Sequence, residues 1–218
     1  MQGDENNVIA IDGPAASGKS SVSSRISDKI GYLHVNSGLM YRAFTWSVLR
    51  SGIDLNDLDS VVGHLNSISI NCGQSNGFST LTIDGLDPGI ELRASEINEN
   101  VSLIAAIEEV RTALVSKQRD YLKIANIVME GRDIGSVVFP ETPYKFYIDA
   151  SAEVRAKRRM DEGELDDLEK RDKIDKFRKL SPLLIPDDAC VIDTSEMDLE
   201  QVVLKVLNEL KARGLTTV

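Results

Sequence analysis

The stretch VIAIDGPAASGKSSVSSRI, residues 8–26, constrains the fold more than any other part of the chain. The apolar run Val8-Ile9-Ala10-Ile11 leads into Gly13-Pro14-Ala15-Ala16-Ser17-Gly18-Lys19-Ser20, which has the spacing G-x-x-x-x-G-K-[ST], and a helical pattern follows. Glycines at both ends let the main chain curl so that successive N–H groups face inward. The helix that leaves the loop adds its positive end, and the two together cradle phosphate oxygens. In that geometry Lys19 reaches the terminal phosphates of a nucleoside triphosphate, read here as ATP, and Ser20 ligates Mg²⁺. The donor site is expected to comprise Gly13, Pro14, Ala15, Ala16, Ser17, Gly18, Lys19, Ser20 and Ser21.

A strand that ends in such a loop belongs to an α/β sheet, and the rest of the chain supplies matching pieces. Apolar β-type runs at 8–11, 127–129, 144–148 and 190–192 have the character of buried parallel strands. Helices are expected over 20–30 and 198–213, the second carrying Leu199, Val202, Val203, Val206, Leu207 and Leu210 on one face before Gly214. Between 54 and 97 the pattern changes: SISINCG and STLTIDG alternate as strands do, with Gln74-Ser75-Asn76-Gly77 between them as a turn. This hairpin reads as an insertion in the α/β core. Residues 154–179, dense in both signs of charge, read either as a helical segment able to close over a site or as a solvated helical face.

Charge and cysteine usage narrow the function. A formal net charge of -10 opposes attraction of a polyanion, so no nucleic-acid partner is expected. Cys72 and Cys190 are far apart and have only His34 and His64 as companions, which supports neither a disulfide framework nor a zinc site. No apolar run reaches the ~20 residues of a membrane span, and residues 1–7 lack the features of a signal peptide. A cytoplasmic monomer without a membrane partner is the expectation.

The glycine loop leaves the acceptor open. Transfer to water makes an NTPase or switch, transfer to a hydroxyl a small-molecule kinase, and transfer to a phosphate a nucleotide kinase. A hydroxyl needs a carboxylate base, whereas a phosphate acceptor is already anionic and needs neutralising. Two unit charges 4 Å apart repel by ~4 kcal/mol at an effective dielectric of 20. Arginines are therefore the residues to look for. Arg42 follows Asn36-Ser37-Gly38-Leu39-Met40-Tyr41, Arg132 and Asp133 end a strand-like run, and Arg155, Arg158, Arg159, Arg171 and Arg178 populate the charged segment. The ends of parallel strands are where open α/β sheets place ligands.

In this order the residues resemble the bacterial cytidylate kinases. The likeness runs nearly end to end through IDGPAASGKSS, NSGLMYRA, VSLIAAIEEVR, EGRDIGSVVFPE, KFYIDASAEVRAKRR and RDKIDKFRKLSPL. It implies a three-layer P-loop fold with a central parallel sheet, a small antiparallel insert for the nucleoside monophosphate and a short helical lid. The expected division is a core of 1–36, 98–153 and 180–218, an insert of 37–97 and a lid of 154–179. The implied reaction moves the γ-phosphoryl group of ATP to CMP or dCMP, giving ADP and CDP or dCDP, with Mg²⁺. By the same resemblance Ser37, Tyr41 and Arg42 hold the acceptor, Ser102, Arg111 and Asp133 read its base, and Arg171 and Asp175 face its sugar. Arg132 and Arg178 sit on phosphate, and Arg158 and Arg159 close over ATP. Lys19, Arg132, Arg158 and Arg178 carry the catalytic expectation.

Elementary chemistry supports the base-reading pair. Cytosine presents an amino donor beside N3 and O2 acceptors, which suit a carboxylate and an arginine. Uracil reverses the pattern at two of these positions, so the same pair favours CMP over UMP. Three features depart from the family pattern. Asn36 stands where Asp is common, Ile174 and Lys176 occupy positions often held by Ser or Arg, and the segment from 160 to 168 is short. A short lid predicts incomplete exclusion of water and appreciable ATP hydrolysis without CMP.

Overall fold

The computed structural model describes residues 6–161, 168–178 and 180–216, with the side chains of 168–171 also outside the description. Seven strands form one sheet in the order β3-β4-β2-β5-β1-β6-β7. They are β1 (Val8–Asp12), β2 (Leu33–Asn36), β3 (Ile70–Ser75), β4 (Phe78–Ile83), β5 (Ile127–Gly131), β6 (Tyr144–Asp149) and β7 (Cys190–Asp193). The pairs β2–β5, β5–β1, β1–β6 and β6–β7 are all parallel. The fold is therefore the expected α/β type. Strand β1 lies inside the sheet, so the glycine loop opens at the centre of its carboxyl edge.

Alternation along β1 sorts its side chains between two faces. Ile9 and Ile11 join a core with Val22 and Ile26 of α1 (Lys19–Ile30) and Val203, Val206 and Leu210 of α8 (Leu199–Ala212). Val8 and Ala10 point the other way, into a core with Leu33, Val35, Met129 and Ile134. A third apolar cluster, containing Phe44, Trp46, Val101 and Leu114, binds together α2 (Ser37–Arg50), α4 (Ser95–Ile104) and α5 (Glu108–Asp120). Helix α3 (Leu58–Ser67) adds Val61 to that cluster. Sheet, helices above and helices below make the three layers.

Two differences from the sequence reading bear on the site. Strand β2 was not expected, because LHVN is short and half polar; Leu33 and Val35 are nevertheless buried. The hairpin forms where expected, with Asn76 and Gly77 at φ of 53° and 80°, as a two-residue turn requires. It is not detached from the core, however: β4 continues the sheet beside β2 through the pair His34 and Phe78. The charged segment is helical in α6 (Ala152–Asp161) and α7 (Leu168–Phe177). Its short connection falls on 162–167, outside the described residues, as does the structural basis of the expected water leakage.

Candidate active site

A cleft of about 230 Å³ opens at the carboxyl edge of β1, β2 and β5. One of its walls is the glycine loop. A Cβ on Gly13 would sit 2.1 Å from the Ile148 carbonyl oxygen, so the loop lies directly on β6 and only glycine fits there. Lys19 is 8% exposed, and its Nζ donates to the Pro14 carbonyl at 3.0 Å, folding the side chain back over the loop. Ala15, Ala16, Gly18, Lys19, Ser20 and Ser21 all line the cleft.

Behind Ser20 stands Glu130, near the end of β5 and 1% exposed. Its Oε2 accepts from Ser20 Oγ at 2.5 Å, and its Oε1 accepts from Asn36 Nδ2 at 2.9 Å. His34 Nε2 lies 3.1 Å from the same Oε1. Burial alone would push the Glu130 carboxyl up, but His34, Lys19 and Ser20 together hold it below the ordinary glutamate value. Ser37 Oγ donates to the Glu130 carbonyl at 2.8 Å, which fixes the start of α2 against β5. Asn36 caps that helix by accepting from the Leu39 N–H at 3.2 Å.

On the wall facing the loop, Arg111 and Asp133 form a buried ion pair. Arg111 also donates to the Ala105 carbonyl at 3.0 Å and lies 5.3 Å from the centre of the Tyr41 ring. Arg42 donates to the Leu92 carbonyl at 3.1 Å and to Asn98 Oδ1, which braces it between α2 and α4. Ser102, in α4, lines the same wall.

Charge of the opposite sign converges from β5 and α7. Arg132 Nε donates to Asp175 Oδ2 at 2.8 Å, and Arg178 Nη2 is 3.7 Å from Asp175 Oδ1. Nε and Nη2 of Arg178 are buried at the cleft with no hydrogen-bond partner among the described residues. Burial lowers the pKa of this guanidinium from the ordinary arginine value, while Asp175 pulls the other way. Buried guanidinium N–H groups without a hydrogen bond at a cavity wall are open to an acceptor that enters the cleft.

The α6 arginines divide by face. Arg159 lines the cleft. Arg158 instead donates to the Ser17 carbonyl at 3.0 Å and to Thr194 Oγ1 at 3.1 Å, so it grips the outer side of the glycine loop. Arg155 does the same at the Ala15 carbonyl, 3.2 Å away, and pairs with Asp172 at 2.5 Å. The side chain of Arg171 lies outside the described residues.

Several of these residues carried no role in the sequence reading. Asp12 accepts from the Ile134 and Gly135 N–H groups, both at 2.8 Å, and so ties the turn after Asp133 to the strand that launches the glycine loop. Burial pushes its carboxyl up to about 7. Asp12 and Glu130 share a signal that could have found them: each is an acid closing an otherwise apolar buried strand, where an unpaired carboxylate is too costly to keep.

A sequence model described as cytidylate kinase matches residues 9–212. The chain belongs to the cytidylate kinase family. A cytidylate kinase of Clostridium botulinum strain Langeland is 44% identical, covering 94% of this chain and 98% of that one. One from Caldanaerobacter subterraneus is 40% identical, covering 93% and 94%, and one from Nocardia farcinica is 39% identical, covering 100% and 98%. Among solved structures, an unliganded sugar kinase from Janibacter sp. superposes with a TM-score of 0.51 at 13% identity, covering 94% of this chain and 95% of that chain. A gluconokinase from Sinorhizobium meliloti gives 0.50 at 12%, covering 95% and 93%. These two bear on the fold alone.

Within the cytidylate kinase frame, the cleft brings together Ser37, Tyr41, Arg42, Ser102, Arg111, Arg132, Asp133, Asp175 and Arg178 from parts of the chain that are distant in sequence. The donor atoms at Ser20 and Glu130 are oxygens. That suits Mg²⁺, which takes one or two protein oxygens and fills the rest of its shell with water and substrate phosphates.

Proposed function

We infer that the protein transfers the γ-phosphoryl group of ATP to CMP or dCMP, releasing ADP and CDP or dCDP. The observation that carries this reading is one cleft with two unlike walls. One is a glycine loop with Lys19; the other is a buried Arg111–Asp133 pair flanked by Arg132 and Arg178.

In the proposed reaction the loop N–H groups and Lys19 hold the donor phosphates, and Arg159 approaches from α6. Arg158 and Arg155 act from behind, holding the Ser17 and Ala15 carbonyls outward so that the loop N–H groups turn inward. Ser20 would hold Mg²⁺, which would supply charge neutralisation at the donor's phosphates. Asp133 accepts from the cytosine amino group, Arg111 donates to its ring acceptors, and Ser102 lies beside them. Ser37, Tyr41 and Arg42 seat the nucleotide, with Arg171 and Asp175 toward the sugar. Arg132 and Arg178 cancel the acceptor phosphate's charge, so its oxygen reaches the γ-phosphorus without a general base.

The proposed division of labour assigns the acceptor to 37–97 and closure to 154–179, around a core of 1–36, 98–153 and 180–218. A net charge of -10 supports small-molecule substrates over nucleic acid, free Cys72 and Cys190 suit a reducing compartment such as the cytoplasm, and the protein is proposed to act as a monomer. No helix among the described residues is long and apolar enough to cross a membrane.

The deciding experiment is ADP release with ATP and Mg²⁺ across CMP, dCMP, UMP, AMP and shikimate. CMP and dCMP are expected to lead, with UMP at least about tenfold slower because Arg111 and Asp133 are left mispaired. Preference for the uncharged alcohol, or tight ATP binding with no monophosphate turned over, would overturn the reading.

A further inference from the structure

His34 touches both halves of the molecule. Its main-chain N–H donates to the Gly77 carbonyl at 3.3 Å, and its register partner is Phe78, so it carries the junction of β2 with the hairpin. Its ring stands edge-on to the Phe78 ring at 6.5 Å, with the side chain 13% exposed. The far edge of the imidazole faces Glu130 Oε1 at 3.1 Å.

Glu130 already acts as an acceptor at both oxygens, from Ser20 Oγ at Oε2 and from Asn36 Nδ2 at Oε1, so His34 Nε2, 3.1 Å from Oε1, carries the hydrogen and donates it. On the other oxygen, Ser20 spends its single hydroxyl hydrogen on Glu130 Oε2. Both lone pairs of Ser20 Oγ are then left for the cleft. A hydroxyl free to rotate would turn its hydrogen into the cleft part of the time and repel a cation there. The direction of the Ser20 lone pairs thus depends on the attitude of the Glu130 carboxylate. That attitude is fixed at Oε1 by two side chains, His34 and Asn36.

We propose that His34 is a positioning residue for phosphoryl transfer: by fixing Glu130 Oε1 it sets Oε2 beneath Ser20 and keeps the Ser20 lone pairs turned toward the Mg²⁺ of the donor nucleotide. Phe78 prevents the ring from swinging away, so the hairpin of the acceptor insert buttresses the donor-side serine. The proposal rests on the ATP-to-CMP reading above.

The test compares His34→Phe, which keeps a ring against Phe78 but has no hydrogen to give, with His34→Gln, which places an amide N–H at similar reach. Binding of a non-hydrolysable ATP analogue is measured by calorimetry in Mg²⁺ and in EDTA, beside kcat, KM for CMP and thermal stability. His34→Phe is expected to weaken analogue binding about tenfold in Mg²⁺ and to lower kcat at least as much. Its binding in EDTA and its KM for CMP should stay within about twofold, and His34→Gln should recover most of the loss. In a Glu130→Gln background, His34→Phe should cost nothing further. The proposal fails if His34→Phe matches the parent in Mg²⁺, if it weakens binding equally in EDTA, or if His34→Gln is as poor at unchanged stability. Should His34→Phe not fold, His34→Asn, whose amide is too short to reach Oε1, carries the same expectations. Calorimetry needs no CMP, so a parent that left CMP untouched would sink the wider reading and still leave His34 tested.

Discussion

Arg111 and Asp133 meet as an ion pair at 3% and 4% exposure, and the Arg111 guanidinium is backed by the face of Tyr41. Both line the cleft, and the pair is buried except on the side that faces it. On the proposed reading, a nucleobase entering there would meet an acceptor and a donor already aligned by each other. Asp133→Asn removes the acceptor character that selects an amino group. It is expected to raise KM for CMP by about tenfold to a hundredfold, the worth of a hydrogen bond to a charged group, while KM for ATP changes by less than about twofold. Steady-state kinetics with each substrate varied in turn check this. Equal effects on both would remove Asp133 from base reading.

Gly13 tests the donor wall without touching a charge. A methyl group at this position lands 2.1 Å from the Ile148 carbonyl oxygen, and neither β1 nor β6 can retreat, because each is buried within the sheet. Gly13→Ala should therefore cost at least about 1–3 kcal/mol of stability and displace the loop from the donor phosphates. Urea unfolding and ATP-analogue binding measure the two losses. Unchanged stability would mean that the loop does not lie on β6 as described.

What could be read from sequence was what is local. The glycine loop, its strand and its helix are contiguous, and the hairpin turn at Asn76-Gly77 declares itself in two residues. What stayed hidden depends on partners that come from elsewhere in the chain. Glu130 has no neighbour in sequence to explain it, since Ser20, His34 and Asn36 lie 94 to 110 residues away. Strand β2 escaped notice for the same reason: the polar half of LHVN is turned to Glu130 and cannot be scored as a core face. Arg158 and Arg159 were expected to act alike; adjacent residues on a helix point about 100° apart, and here Arg159 lines the cleft while Arg158 bonds Ser17 and Thr194. Asn36 looked like a lost carboxylate. Its amide in fact does two jobs, capping α2 with oxygen and bonding Glu130 with nitrogen.

Asp12 gives the molecule a pH signature. Its buried carboxyl titrates near 7 in the folded chain against 3.8 ordinarily, driven up by burial and by Asp133, and held back by the two N–H groups and Arg132. A folded state that holds its proton more tightly than the unfolded chain is stabilised by it below the unfolded value, and loses that contribution as pH rises through about 7. Stability should therefore decline from about pH 4 toward about pH 8 by more than in Asp12→Asn, which cannot titrate. The substitution should also loosen the turn carrying Arg132 and Asp133, because one of two N–H groups loses its acceptor. Unfolding free energies of both proteins across that range decide the matter, and parallel curves would show that the carboxyl is ionised throughout.

The reverse substitution at β2 probes the charge balance behind Ser20. Asn36→Asp would replace a donor 2.9 Å from Glu130 Oε1 by a second carboxylate while keeping the oxygen that caps α2. Two carboxylates in contact cannot both ionise cheaply, so in metal-free protein one of them should take up a proton, its pKa rising above the unfolded value. The penalty is then small at low pH and grows as pH rises, reaching about 1–3 kcal/mol near pH 8. A divalent cation close to Ser20 would relieve it, so Mg²⁺ with an ATP analogue should raise the melting temperature of Asn36→Asp by more than that of the parent. Thermal melts with and without Mg²⁺ at two pH values check both parts. A variant as stable as the parent near pH 8 without metal, gaining no more from Mg²⁺, would mean that Glu130 and residue 36 do not share a charge-sensitive contact.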